Sequence, residues 1–126
     1  MPILPHCGIY YYVVFIESRA FTRRLHQLAG EDADVVLLTM QQELSAQPDR
    51  GAVVPGLGGI RKARAANPAR GKGKRGGFRY LYLYLEIRRH IHLLYLLDKN
   101  EQEDVREDQR RQLREWVAEI KRETGN

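Results

Sequence analysis

A single cysteine, Cys7, stands in 126 residues, so no internal disulfide can brace the fold, and a reducing compartment fits best. No His or Asp motif accompanies it, so Cys7 reads as a structural thiol rather than a nucleophile. Long apolar runs are missing as well. The longest, Ile9 to Ile16, is eight residues, against the roughly 20 that a membrane helix needs. No cation precedes that run as one would in a secretory leader. A cytoplasmic protein with no membrane partner is expected. Phosphate-loop chemistry is absent too: Gly56, Gly58 and Gly59 form a GxGG that no Gly-Lys-Ser/Thr follows, so no nucleotide cofactor is expected. The most informative shortage is of acid. Between residues 61 and 79 there is none, while Arg61, Lys62, Arg64, Arg70, Lys72, Lys74, Arg75 and Arg79 make eight cations.

What is present is the composition of a folded chain, 43% apolar and 29% charged, and its length suits one hydrophobic core, a single domain over 1–126. The net charge of +5 conceals an asymmetry: residues 51–97 carry ten cations and one acid, whereas acids outnumber cations on both sides. Like charges so crowded repel, and an anion that visits would relieve them. With a sequence pI near 9.6, that patch suggests nucleic acid. A merely solvated cationic loop is the alternative.

Taken in order, residues 1–8 are a loose start, within an extra N-terminal lead-in counted as 1–12, and a strand follows over 9–17, IYYYVVFIE, whose β-branched and aromatic density predicts burial. Ser18 is placed to cap a helix to about Ala29, with Phe21, Leu25 and Leu28 on one side. A second helix starts near Glu31, where Glu31, Asp32 and Asp34 suit the positive end of its dipole. Its stripe is Ala33, Leu37, Met40 and Leu44, and it stops before Pro48. Residues 49–59 read as a connector. IRKARAA (60–66) and FRYLYLYLE (78–86) are strands, and HIHLLYLLDK (90–99) is a third, turned at Ile87–Arg89. On it, alternation groups Ile91, Leu93, Tyr95 and Leu97 against His90, His92, Leu94 and Leu96. Leu113, Trp116, Val117 and Ile120 mark a last amphipathic helix over about 107–122. The sum is an α+β domain: a four-stranded antiparallel sheet with two N-terminal helices and a C-terminal helix packed on one of its faces.

Guanidinium and ammonium groups can cleave a phosphodiester without metal, because charge builds on the phosphoryl and leaving oxygens in the transition state. Lys62 and Arg64 share one face of their strand and Arg79 lies on the next, a set that could act so; a sheet that only binds RNA could show the same. Arg79 has the parity of Leu81, and counting along its own strand implies that it reaches Lys62 and Arg64 only through a bulge near Gly76-Gly77. His90 and His92 share an apolar face with leucines and read as structural; with no acid at ligand spacing, no metal is expected. Tyr80, Tyr82 and Tyr84 could stack on bases, yet period-two placement fits packing as well.

VVPGLGGIRKAR, then GKGKRGGFRYLYLY, then YLLDKNEQEDV resemble the RelE/ParE superfamily of bacterial toxins, closest to its HigB-like branch, over about residues 13–115. The resemblance implies a small α+β toxin neutralised by a co-encoded antitoxin, typically of helix-turn-helix type. RelE-like members enter the ribosomal A site and cut mRNA by attack of a ribose 2′-hydroxyl on the adjacent phosphate. On that pattern Lys62 and Arg64 are the basic pair near the scissile phosphate, Arg79 is the arginine after the loop, and Lys99 belongs to a basic pair whose second member is Asn100 here. Arg61, Lys72, Lys74 and Arg75 would contact the RNA backbone. Two alternatives stay open: a ParE-like poison of DNA gyrase, and a non-catalytic RNA-binding module.

Overall fold

Alternation in FRYLYLYL leaves a strand with two apolar faces, and both must be covered. The protein's structure, a computed structural model, describes residues 12–70, 77–98 and 104–124; most of the expected lead-in lies outside them. The elements are β1 (Val14–Glu17), α1 (Arg19–Ala29), α2 (Ala33–Ala46), β2 (Ala52–Val53), β3 (Arg61–Ala65), β4 (Phe78–Leu85), β5 (His90–Asp98) and α3 (Glu107–Thr124). The strands form one sheet in the order β1-β5-β4-β3-β2, in which β1 runs parallel to β5 and the other pairs are antiparallel.

Three expectations are corrected here. The sheet has five strands and is mixed, because β2, two residues inside a glycine- and proline-rich connector, pairs with Arg61 and Lys62. Strand β1 is an edge rather than a buried strand, with Val14 49% and Ile16 37% exposed; alternation encodes which way side chains face, not the direction or position of a neighbour. The helices cover both faces. Phe78, Tyr80 and Tyr82 pack with Phe21, Leu25, Val36, Met40 and Leu44 from α1 and α2, while Leu81, Leu83 and Leu85 pack with Leu113 and Val117 of α3.

The helices themselves follow the sequence. Ser18 Oγ accepts from the Phe21 amide at 2.9 Å and donates to the Leu94 carbonyl at 2.7 Å, capping α1 and pinning it to β5. A short 3-10 turn, Gly30–Asp32, precedes α2, and Val36 rather than Leu37 fills the buried stripe. The bend into β3 uses positive φ at Gly56, Gly58 and Gly59, conformations that side chains with a Cβ rarely take.

On β5, Tyr82 pairs with Leu93 and Leu81 with Tyr95, leaving Leu94 as an extra residue. This bulge turns Leu94 and Tyr95 both toward α3 and returns Leu96 to the α1/α2 side. The expected grouping of Tyr95 with Leu93, and of Leu96 with the histidines, is therefore reversed beyond Leu93.

Buried tyrosines fasten the connector to the sheet. Tyr82 Oη donates to the Pro48 carbonyl at 2.7 Å and accepts from the Gly51 amide at 2.9 Å, and burial pushes its hydroxyl above the usual 10.0. Replacing Tyr82 by Phe takes this partner from the buried Gly51 amide and the part-buried Pro48 carbonyl, so the variant is expected to lose about 1–3 kcal/mol. A fall in the urea midpoint with an unchanged m-value measures it.

Candidate functional site

In an antiparallel pair, residues directly opposite each other point to the same face. Arg64 stands opposite Arg79 and Lys62 opposite Leu81, so Lys62, Arg64 and Arg79 all lie on the α3 side of the sheet. No bulge near Gly77 is required; the cross-strand register alone does it, and the expected need for one is corrected. The irregularity in the β4–β5 ladder falls further along, where Leu94 of β5 is extra opposite Leu81 and Tyr82.

The three cations differ in setting. Arg64 is exposed. Lys62 Nζ lies 3.5 Å from Asp104 Oδ1, with 30% of its side chain exposed. Arg79 is only 8% exposed and its Nη1 is sealed from solvent with no hydrogen-bond partner; among the described residues no carboxylate pairs with it. Like charges directly opposite in a sheet destabilise it, and an unmatched buried guanidinium costs more again. Nη1 of Arg79, beside the facing Arg64, is thus a donor that no described residue satisfies and that an anion could take.

Arg61 goes elsewhere. It stands opposite Tyr82, on the α1/α2 side, and its Nη1 donates to the carbonyls of Asp49 at 3.1 Å and Gly51 at 2.7 Å. The structure does not bring it to the other three. Lys72, Lys74, Arg75, Lys99 and Asn100 lie outside the described residues.

Arg50 is a cation that reading the sequence misses. Set in a connector between Asp49 and Gly51, it has no pattern to mark it, yet it lines a shallow cavity of ≈ 350 Å³ with Lys62, Ala63 and Arg64. Its Nη1 donates to Tyr80 Oη at 2.9 Å, and burial pushes that hydroxyl up to about 12.

His90 and His92 sit opposite Leu85 and Leu83. That places them four to six residues along β4 from Arg79, roughly 13–20 Å away at strand rise. Their rings are 6.3 Å apart, and His90 Nδ1 and His92 Nε2 are buried without hydrogen-bond partners. Among the described residues no three His, Cys, Asp or Glu side chains cluster as metal ligands would. Burial, and then the neighbouring His90, push His92 below the ordinary 6.5. The unfolded chain therefore takes up a proton that the folded one refuses between that lowered value and 6.5. Unfolding free energy is expected to be full above pH 6.5 and to decline as pH falls through this window. Denaturation curves of the native chain and of His92→Gln across pH 5 to 7.5 test this; the variant should lose much of the slope.

Among the described residues no helix is long and apolar enough to cross a membrane. No protein-family model matches the chain. Solved structures do match its fold. The toxin–antitoxin complex RelBE2 from Mycobacterium tuberculosis aligns with a TM-score of 0.54 at 23% identity, covering 68% of this chain and 96% of that one. A double arginine-to-alanine mutant of the Escherichia coli toxin RelE in the free state aligns at 0.51 and 13% identity, covering 72% and 87%. The intact E. coli RelBE toxin–antitoxin complex aligns at 0.51 and 12% identity, covering 69% and 96%. At such identities the likeness is one of architecture, and in that sense this chain has the fold of the RelE toxins.

Proposed function

We propose that this chain is the toxin of a toxin–antitoxin pair, of the HigB-like branch, and that it acts in the cytoplasm as a ribosome-dependent, metal-independent endoribonuclease on mRNA. The observation that carries the reading is the facing of Arg64 and Arg79 across one ladder with Lys62 two residues along. Cleavage forms a bond from a ribose 2′-oxygen to phosphorus and breaks the bond to the 5′-oxygen; the first oxygen loses a proton and the second gains one. Arg79, planar and shielded from water, suits the non-bridging oxygens, where its fork is worth most. Arg64 grips the same phosphate from the solvent side, and the Lys62 ammonium faces the departing oxygen. Lys99 joins them on the sequence resemblance alone. Lys72, Lys74 and Arg75 follow the RNA backbone; Arg61, tied to carbonyls, supports the connector.

The solved neighbours include complexes of a toxin with its antitoxin, which supports a protein antitoxin as the partner of this chain, expected to be a helix-turn-helix protein. The test is expression of the chain with translation and DNA replication followed together and mRNA ends mapped on ribosomes. Translation should fall first, with new ends inside the ribosomal A site. Stalled replication with intact transcripts would overturn the reading in favour of gyrase poisoning, and RNA binding without cuts in favour of a non-catalytic module.

A further inference from the structure

Strand β2 pairs with β3 only at Arg61 and Lys62, so the edge of β3 beyond them, at Ala63 to Ala65, is left for something other than a strand. Arg50 occupies that edge. Three contacts hold it: to Tyr80 Oη at 2.9 Å, to the Arg64 carbonyl at 3.4 Å, and to Glu43 Oε1 at 3.5 Å. All three fall on one nitrogen, Nη1. The remaining nitrogens, Nε and Nη2, have no partner among the described residues, and they form the side of a guanidinium that grips two oxygens at once. The same side chain lines the cavity of ≈ 350 Å³ with Lys62 and Arg64.

From this we infer that Arg50 is a second phosphate-binding residue, taking the phosphodiester next to the one held by Arg64 and Arg79. A purely structural arginine would spread its donors over the groups it ties. Here one nitrogen is the anchor, the two-oxygen edge is not among the buried polar groups left without a partner, and the side chain lines a cavity with two other cations. The RNA strand then crosses the edge of β3 from the Arg64–Arg79 pair to Arg50, and the site spans at least two phosphates. The inference rests on the reading of the Lys62–Arg64–Arg79 face as an RNA site, and it adds a residue that no sequence pattern marks.

The probe is a single-stranded 2′-O-methyl oligoribonucleotide, which lacks the attacking hydroxyl and stays intact. Its affinity for the full chain is measured against salt concentration. Each phosphate contact with single-stranded RNA contributes about 0.7 to the slope of log affinity against log salt. Arg50→Gln is expected to reduce the slope by about 0.7 and Arg50→Lys to restore it, since a point charge still releases the counterion. A structural role would lower thermal stability and leave the slope alone. If Arg64→Gln reduces the slope and Arg50→Gln does not, the inference is overturned and the nuclease reading stands. If neither does, or the native chain fails to bind at low salt, both fall. Should Arg50→Gln not fold, the native chain is treated with phenylglyoxal with and without the oligonucleotide and modification is read by peptide mass. Protection of Arg50 supports the inference, and equal modification overturns it.

Discussion

Arg79→Met is expected to lower mRNA cleavage by roughly 10²–10³-fold, the usual cost of deleting one preorganised donor to a developing oxyanion, and at the same time to make the protein more stable. The two effects have one origin. Arg79 is buried, faces Arg64 directly, and its Nη1 has no acceptor among the described residues. Among the described residues nothing offsets that charge, which costs energy through lost hydration and repulsion from its neighbour. Methionine fills a similar volume without either penalty, so a gain of about 1 kcal/mol is expected, in line with the replacement of buried charges by apolar residues elsewhere. Arg64→Ala should cost cleavage on the same scale but leave stability within about 0.5 kcal/mol, as exposed substitutions do. Arg79→Lys keeps the charge and loses the planar fork, so it should recover little activity. Single-turnover cleavage on programmed ribosomes and urea unfolding of the same preparations check both halves. A destabilised Arg79→Met that still cuts mRNA would show that the guanidinium is part of the scaffold.

Much of this architecture is legible in the sequence where one periodicity governs. The stripe of Leu113, Trp116, Val117 and Ile120 and the alternation of FRYLYLY place α3 and β4 correctly. The second apolar face of β4 was itself the sign of two helical layers, because Leu81, Leu83 and Leu85 need cover as much as Tyr80 and Tyr82 do. Relations between strands are a different matter. Parity counted along one strand says nothing about which face of the next it meets, and so Arg79 looked out of reach of Lys62 and Arg64 when the register sets it opposite Arg64. HIHLLYLLD carries two leucine pairs, each compatible with either face, and the bulge at Leu94 is decided by packing on both sides at once. Arg50 was hidden for a related reason: two of the groups it touches, the Arg64 carbonyl and the Tyr80 hydroxyl, come from 14 and 30 residues along the chain.

Gly77→Ala should be among the most damaging single changes in the chain, with a loss of about 3 kcal/mol or more. A Cβ on Gly77 would overlap the carbonyl oxygen of Ala65 and stand 2.9 Å from the amide nitrogen of Asn67. Both are backbone atoms at the end of β3, so no side chain can swing aside; strands must part, and overpacking of this kind is costly. The next step along the ladder is Ala65 with Phe78, and the one after it is Arg64 with Arg79. Parting the strands at Gly77 therefore loosens the proposed site before it unfolds the sheet, and cleavage should fall by more than the drop in folded population explains. Gly30→Ala is the control. Gly30 has φ 54 with open space around its Cβ position, so alanine there meets only the left-handed backbone penalty of about 1–2 kcal/mol and should leave activity per folded molecule unchanged. If Gly77→Ala proves no worse than Gly30→Ala in urea unfolding, the close approach of β3 and β4 at that point is wrong, and with it the facing of Arg64 and Arg79.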